Sequence, residues 1–141
     1  MKTKILYVDD EAEWRRMVGI FLKLAGFGVL TAKDGTEAMQ QAETERPAVI
    51  ILDVNLNGED GAVLIGYMKA IDPDVPIILY TGLDHAPDAV QRLMDEGAVQ
   101  YLRKGNLRDL VKCVEDLLRK RDPAGRPAPQ PLLQAAGWQM V

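Results

Sequence analysis

Five short apolar runs, each followed by a stretch with helical hydrophobic spacing, constrain this chain more than any other feature. The runs are Lys4–Val8, Phe27–Ala32, Ala48–Leu52, Val75–Tyr80 and Val99–Leu102. Behind the first lie Trp14, Met17, Val18, Phe21, Leu22 and Ala25, stopped by Gly26. Behind the second lie Ala38, Met39 and Ala42, with Pro47 closing the connection. Val63, Leu64, Tyr67, Met68 and Ile71 follow the third run, and Ala89, Val90, Leu93 and Met94 the fourth, stopped by Gly97. Leu107, Leu110, Val111, Val114, Leu117 and Leu118 follow the fifth. Such spacing lines one face of a helix with apolar side chains. Strict strand–helix alternation predicts an α/β fold, a parallel sheet with helices on both faces. The runs are almost continuously apolar, as strands buried on both faces are.

The rhythm stops near Arg121. Four of the eight prolines fall between Asp122 and Pro131, so the reading is a folded domain over 1–121 and a flexible proline-rich tail over 122–141. The tail ends in Leu132, Leu133 and Trp138, too few apolar residues to fold alone. One cysteine, Cys113, excludes a disulfide framework and a multi-cysteine zinc site. One histidine, His85, excludes a histidine-clustered metal centre and reads as a solvated loop residue. A net charge of −4 gives no footprint for direct nucleic-acid binding. No apolar run approaches the ~20 residues that insertion into a membrane needs. The first run halts at Asp9-Asp10-Glu11, too soon for a signal-peptide core, so the expected location is cytoplasmic.

Ligands of open α/β sheets sit beyond the carboxyl ends of the strands. Asp9, Asp10 and Glu11 follow the first run, Asp53 the third, Thr81 the fourth and Lys104 the fifth. Nothing notable follows the second, which suits an edge strand. Carboxylates held about 4 Å apart repel by roughly 1–4 kcal/mol per pair, and a hard divalent cation such as Mg2+ removes that cost. A carboxylate beside such an ion, flanked by a hydroxyl and an ammonium, is a phosphoryl acceptor. Asp53 would attack phosphorus, Lys104 and the ion would neutralise the equatorial oxygens, and Thr81 would donate a hydrogen bond. Glu11 reads as the group capping the first helix. Taken alone, Tyr101 is a half-buried strand aromatic, Cys113 is packing, and the methionines belong to helix core faces.

The motifs Val8-Asp9-Asp10-Glu11, Leu52-Asp53, Gly58-Glu59-Asp60-Gly61, Tyr80-Thr81-Gly82 and Tyr101-Leu102-Arg103-Lys104, in this order, resemble the receiver domain of the two-component response-regulator family over residues 2–121. The resemblance implies a flavodoxin-like, doubly wound sheet of five parallel strands in order 2-1-3-4-5 with five flanking helices. Strands one and three are then neighbours, and their acidic ends converge. It implies that Asp53 is phosphorylated, that Asp10 ligates Mg2+ directly and Asp9 partly through water, and that the Asn55 backbone carbonyl adds a ligand. Thr81 becomes the switch hydroxyl, Tyr101 the aromatic that moves with it, and Lys104 the phosphate cation; Asn55 and Leu83 flank the phosphate. The donor would be a phosphohistidine on a sensor histidine kinase or a histidine phosphotransfer protein. An output partner would read the face of helix four, strand five and helix five, exposing Gln91, Asp95, Arg103, Arg108 and Lys112; a homodimer is allowed. Such a chain is not a conventional multiple-turnover enzyme, although it catalyses phosphoryl transfer to and from its own aspartate. With no output domain read after the linker, it would be a single-domain regulator or a receiver cut from a longer chain.

Two positions depart from the family pattern. Gly105 stands where a cis-bonded proline usually follows the lysine, which predicts a trans loop that shifts Lys104, or another route through glycine's freedom. Asn57-Gly58 stands where Pro-Gly is usual, which predicts a looser loop. These departures support an alternative, a receiver-like interaction module independent of phosphorylation. A phosphohydrolase is disfavoured by Asn55, where such enzymes carry a second aspartate. A nucleotide binder is disfavoured because no glycine-rich loop follows the first run.

Overall fold

The computed structural model describes residues 2–56, 58–82 and 87–121. Asn57, Leu83, His85 and the tail over 122–141 lie outside the described residues, and with them the expectations placed on them. Each apolar run becomes a strand and each spaced stretch a helix: β1 (Lys4–Val8), α1 (Ala12–Leu24), β2 (Gly28–Ala32), α2 (Gly35–Glu45), β3 (Val49–Leu52), α3 (Gly61–Ile71), β4 (Ile77–Thr81), α4 (Pro87–Glu96), β5 (Gln100–Arg103) and α5 (Leu107–Arg121). All pairings are parallel and the order is β2-β1-β3-β4-β5, as expected. Among the described residues no helix is long and apolar enough to cross a membrane.

Side chains of successive strand residues point to opposite faces, and this divides the core in two. Leu6, Val8, Ile50, Leu52, Ile77 and Leu79 pack with Ala38 and Ala42 of α2, Ala62, Leu64, Ile65 and Met68 of α3, and Leu93 of α4. Their neighbours Ile5, Tyr7, Val49, Ile51, Ile78 and Tyr80 pack with Val18 and Leu22 of α1 and Leu110, Val111 and Val114 of α5. Every one of these strand residues is buried, as the unbroken apolar runs required.

Local chemistry sets the helix ends that frame the strand tips. Gly26 adopts φ +98°, and the N–H groups of Gly26 and Phe27 donate to the carbonyls of Lys23 and Leu22 at 3.0 and 3.1 Å. This left-handed closure explains why β2 begins at Gly28 and not at Phe27. Asp60 caps α3 by accepting from Ala62 N–H at 2.9 Å. Glu59 accepts from Gly35 N–H through both oxygens, at 3.0 and 3.2 Å, tying the loop after β3 to the start of α2.

Some residues assigned to buried helix faces are exposed: Met17 at 40%, Val63 at 52% and Tyr67 at 57%, with Ala89 exposed as well. In α3 nearly every position is apolar, so periodicity cannot separate the buried stripe Ala62-Ile65-Met68 from its neighbours. In α1, Met17, Ile20 and Leu24 form a second apolar stripe, one residue out of phase with buried Val18 and Leu22. A one-residue offset turns a side chain by more than a quarter of a helical turn, out of the core.

Candidate functional site

The ladder delivers the acidic residues to one place. Asp9 follows β1 and its N–H donates to the Ala32 carbonyl at 3.0 Å; Asp53 follows β3 and its N–H donates to the Val8 carbonyl at 2.9 Å. Asp9, Asp10 and Asp53 each bring one carboxylate oxygen to within 4.8 Å of the others. Asp9 and Asp53 are buried, and Asp10 faces solvent. Lys104 follows β5, with its N–H donating to the Thr81 carbonyl at 2.8 Å. Its ammonium lies 2.6 Å from Asp9 Oδ2 and 3.0 Å from Asp53 Oδ2, with the side chain 4% exposed.

Further contacts fix these carboxylates. Tyr7 donates its phenol hydrogen to Asp9 Oδ2. Asp9 Oδ1 accepts from Glu11 N–H at 3.0 Å, and Arg15 Nη1 donates to the Asp9 carbonyl at 2.7 Å. Asn55 N–H donates to Asp53 Oδ1 at 3.1 Å. Burial pushes the Asp53 carboxyl above the ordinary carboxylate range, with the Asp9 charge adding to it; Asn55 N–H and the lysine pull it back. Burial alone would lower the Lys104 ammonium, but the two carboxylates outweigh it and hold the group above its usual value. Burial first, then Asp9, drives the Tyr7 phenol far upward, so it stays a proton donor to Asp9.

The donor set suits a hard divalent cation. All three ligand groups are carboxylates, and among the described residues this is the only cluster of its kind. Three carboxylates against one ammonium leave two negative charges. Lys104 already shows where a cation rests between Asp9 and Asp53.

The remaining sequence candidates fall in two sets. Thr81 is the fully buried last residue of β4; strand alternation assigns it, like Ile77 and Leu79, to the α2–α4 side of the sheet. Tyr101 pairs with Leu79 and packs half-buried against the same core. Asn55 meets Asp53 through its N–H. Gln91, Asp95, Arg103, Arg108 and Lys112 are exposed around α4, β5 and α5. Cys113 packs half-buried against the α1/α5 core.

Two expectations are corrected. Glu11 occupies the N-cap of α1, but its side chain caps nothing; the short Asp9 side chain reaches the Glu11 N–H instead. Gly105 does not shift Lys104 out of the site. The loop is trans, with Gly105 at φ +142°, and the lysine keeps both carboxylates. Sequence reasoning missed Tyr7, Trp14, Arg15 and Tyr80. The signal for Tyr7 was available, because two residues along a strand share a face with Asp9.

Against known proteins, the model of the response regulator receiver domain matches residues 5–115. The chain is 38% identical over 119 residues to transcriptional regulatory protein PrrA of Mycobacterium tuberculosis, covering 84% of this chain and 51% of that protein. It is 36% identical over 125 residues to alkaline phosphatase synthesis transcriptional regulatory protein PhoP of Bacillus subtilis, covering 88% and 52%. It therefore spans about half the length of these relatives. Among solved structures, chemotaxis protein CheY4 of Vibrio cholerae superposes with a TM-score of 0.77 at 33% identity, covering 84% of this chain and 100% of that one.

Proposed function

The chain belongs to the receiver domains of two-component response regulators, and from that premise we propose that it is a phosphoacceptor switch with Asp53 as the acceptor. The observation that carries this reading is the buried Asp53 carboxylate, 3.0 Å from the Lys104 ammonium and clustered with Asp9 and Asp10. An Asp53 oxygen attacks the phosphorus of a phosphohistidine. The O–P bond forms, the N–P bond of the donor breaks, and the imidazole leaves to take up a proton. Lys104 turns its ammonium from Asp53 toward the incoming phosphoryl oxygens, and Asn55 N–H and the Tyr7–Asp9 contact keep the carboxylates oriented. Thr81 meets the phosphoryl group from the other side of the sheet, and Tyr101 follows it.

Asp9, Asp10 and Asp53, with the Asn55 carbonyl, would hold Mg2+. When bound it supplies charge neutralisation for the phosphoryl oxygens. The donor would be a sensor histidine kinase or a histidine phosphotransfer protein, acting in the cytoplasm. The output would be read on the α4–β5–α5 face, by a partner or a second copy. The chain is both catalyst and substrate and does not turn over an external molecule.

Incubation with a small acyl phosphate or phosphoramidate and Mg2+, followed by intact mass, tests the reading. One phosphoryl group should be added, and Asp53→Asn should remove the gain entirely. Absence of labelling in the native chain, or a label that survives Asp53→Asn, overturns it.

A further inference from the structure

We propose that Trp14 and Tyr80 are positioning residues for Lys104, a seat that keeps its ammonium between Asp9 and Asp53 where the loop carries glycine. The inference rests on the reading of Asp53 as phosphoacceptor and deepens it. Lys104 Nζ lies 4.8 Å from the centroid of the Trp14 ring. The face of an indole attracts a cation, more strongly when the cation is desolvated, and this one belongs to a side chain only 4% exposed. The Trp14 ring is itself held: it meets Tyr80 edge-on, centroids 6.1 Å apart and planes at 83°. The Tyr80 hydroxyl then accepts the N–H of Gly105 at 3.2 Å. Tyr80 thus touches both the ring beside the ammonium and the backbone after it.

The backbone before the ammonium is fixed independently, because Lys104 N–H donates to the Thr81 carbonyl at 2.8 Å. The lysine is therefore held at its own amide, at the next amide, and at its ammonium by an aromatic face. Gly105 has open space where a Cβ would go, but its φ is +142°, so its backbone conformation is what calls for glycine. A proline there could reach neither that φ nor the bond to Tyr80, since its φ is fixed near −65° and it lacks the N–H. Without the hydroxyl latch, a glycine at this position would leave the lysine on a loose loop.

The test uses Tyr80→Phe, which removes only the hydroxyl, and Trp14→Leu, which removes the aromatic face. At saturating small phosphodonor and Mg2+, each should label Asp53 about tenfold more slowly than the native chain. Mg2+ affinity, read by calorimetric titration without any donor, should stay equal or tighten, because a loosened lysine competes less for Asp9. A merely structural lesion would weaken metal binding and rate together. In a Trp138→Phe chain, where Trp14 is the sole indole, Lys104→Met should shift the Trp14 emission. Native labelling rates in both variants, Mg2+ affinity lost in step with rate, or an unmoved Trp14 emission overturns the proposal. If the native chain takes no label at all, the acceptor reading fails, while the titration and the emission still decide whether the seat exists.

Discussion

On the α1/α5 side of the sheet, Asp9, Asp53 and Lys104 are buried in a closed set of ion pairs, backed by Tyr7 and Trp14. On the opposite side, Thr81 and Tyr101 belong to the layer that includes α4, where Leu93 is the one buried residue in a helix of 10. Its neighbour α3, with 11 residues, buries Ala62, Leu64, Ile65 and Met68. The groups that would receive a phosphoryl group are thus fixed in advance, while α4, in the layer that would read it, is anchored by a single buried side chain. Elements with few buried apolar contacts open and shift at low cost, and a switch needs such an element beside its trigger. The same set of contacts explains how Lys104 keeps its place beside Gly105: its own N–H, two ion pairs and the Trp14 ring hold it, and Tyr80 holds the next amide.

Truncations in α3 and α4 should give the largest difference, and they set the reading helix against its neighbour in the same layer. Met68→Ala in α3 removes a side chain only 1% exposed and should cost about 4 kcal/mol in urea unfolding. Leu93→Ala in α4 should cost about 2 kcal/mol, near the lower end for such changes. Amides of α4 should exchange with solvent ahead of those of α3. Equal losses and equal exchange would break the contrast.

Next in size is the charge set itself. Lys104→Met leaves Asp9 and Asp53 buried without their cation and should cost about 3 kcal/mol in metal-free buffer. With the carboxylate cluster read as a Mg2+ site, added Mg2+ should restore much of that loss. A variant as stable as the native chain would mean that the lysine does not fix the receiving groups.

The sequence carried the strand–helix alternation and the acidic and basic residues at strand ends, because a fully buried parallel sheet writes its strands as apolar runs and leaves its ligand groups at their tips. It could not carry the strand order, which came through the receiver resemblance. Nor did it separate buried from exposed faces in α3, where Val63 and Tyr67 look as apolar as Ile65 and Met68 yet face outward. The shell around Lys104 was hidden for a different reason. Trp14 and Tyr80 are ordinary core aromatics by pattern, and only the fold brings an α1 ring, a β4 hydroxyl and the loop after β5 to the same lysine.

Thr81→Ala probes the reading layer with a smaller change. Labelling of Asp53 should stay within about threefold of native, since positioning and charge neutralisation supply most of phosphoryl transfer. Phosphorylation of the native chain should change the hydrogen exchange of α4, and in the variant that change should fade. A full α4 response in the variant would put the trigger elsewhere than Thr81.

The smallest effect tests whether the α1/α5 side is tight throughout. Glu115 of α5 is 9% exposed, and its Oε2 is the one buried side-chain polar atom without a hydrogen-bond partner among the described residues. Burial raises its carboxyl above the ordinary value of 4.5, with Asp116 adding to this and Arg119 opposing. A raised carboxyl binds its proton more firmly in the folded state, so its contribution to stability is greatest below the unfolded pKa. That contribution is lost as pH rises from about 4.5 through the raised folded value, then stays constant. Glu115→Gln removes the charge and with it this loss. The variant should match the native chain below that window and exceed it by up to about 1 kcal/mol at neutral pH. Urea midpoints at acid and neutral pH measure the difference. A gain that is the same at both would show that the ionised carboxylate carries no penalty, and the α1/α5 half would then be satisfied in full.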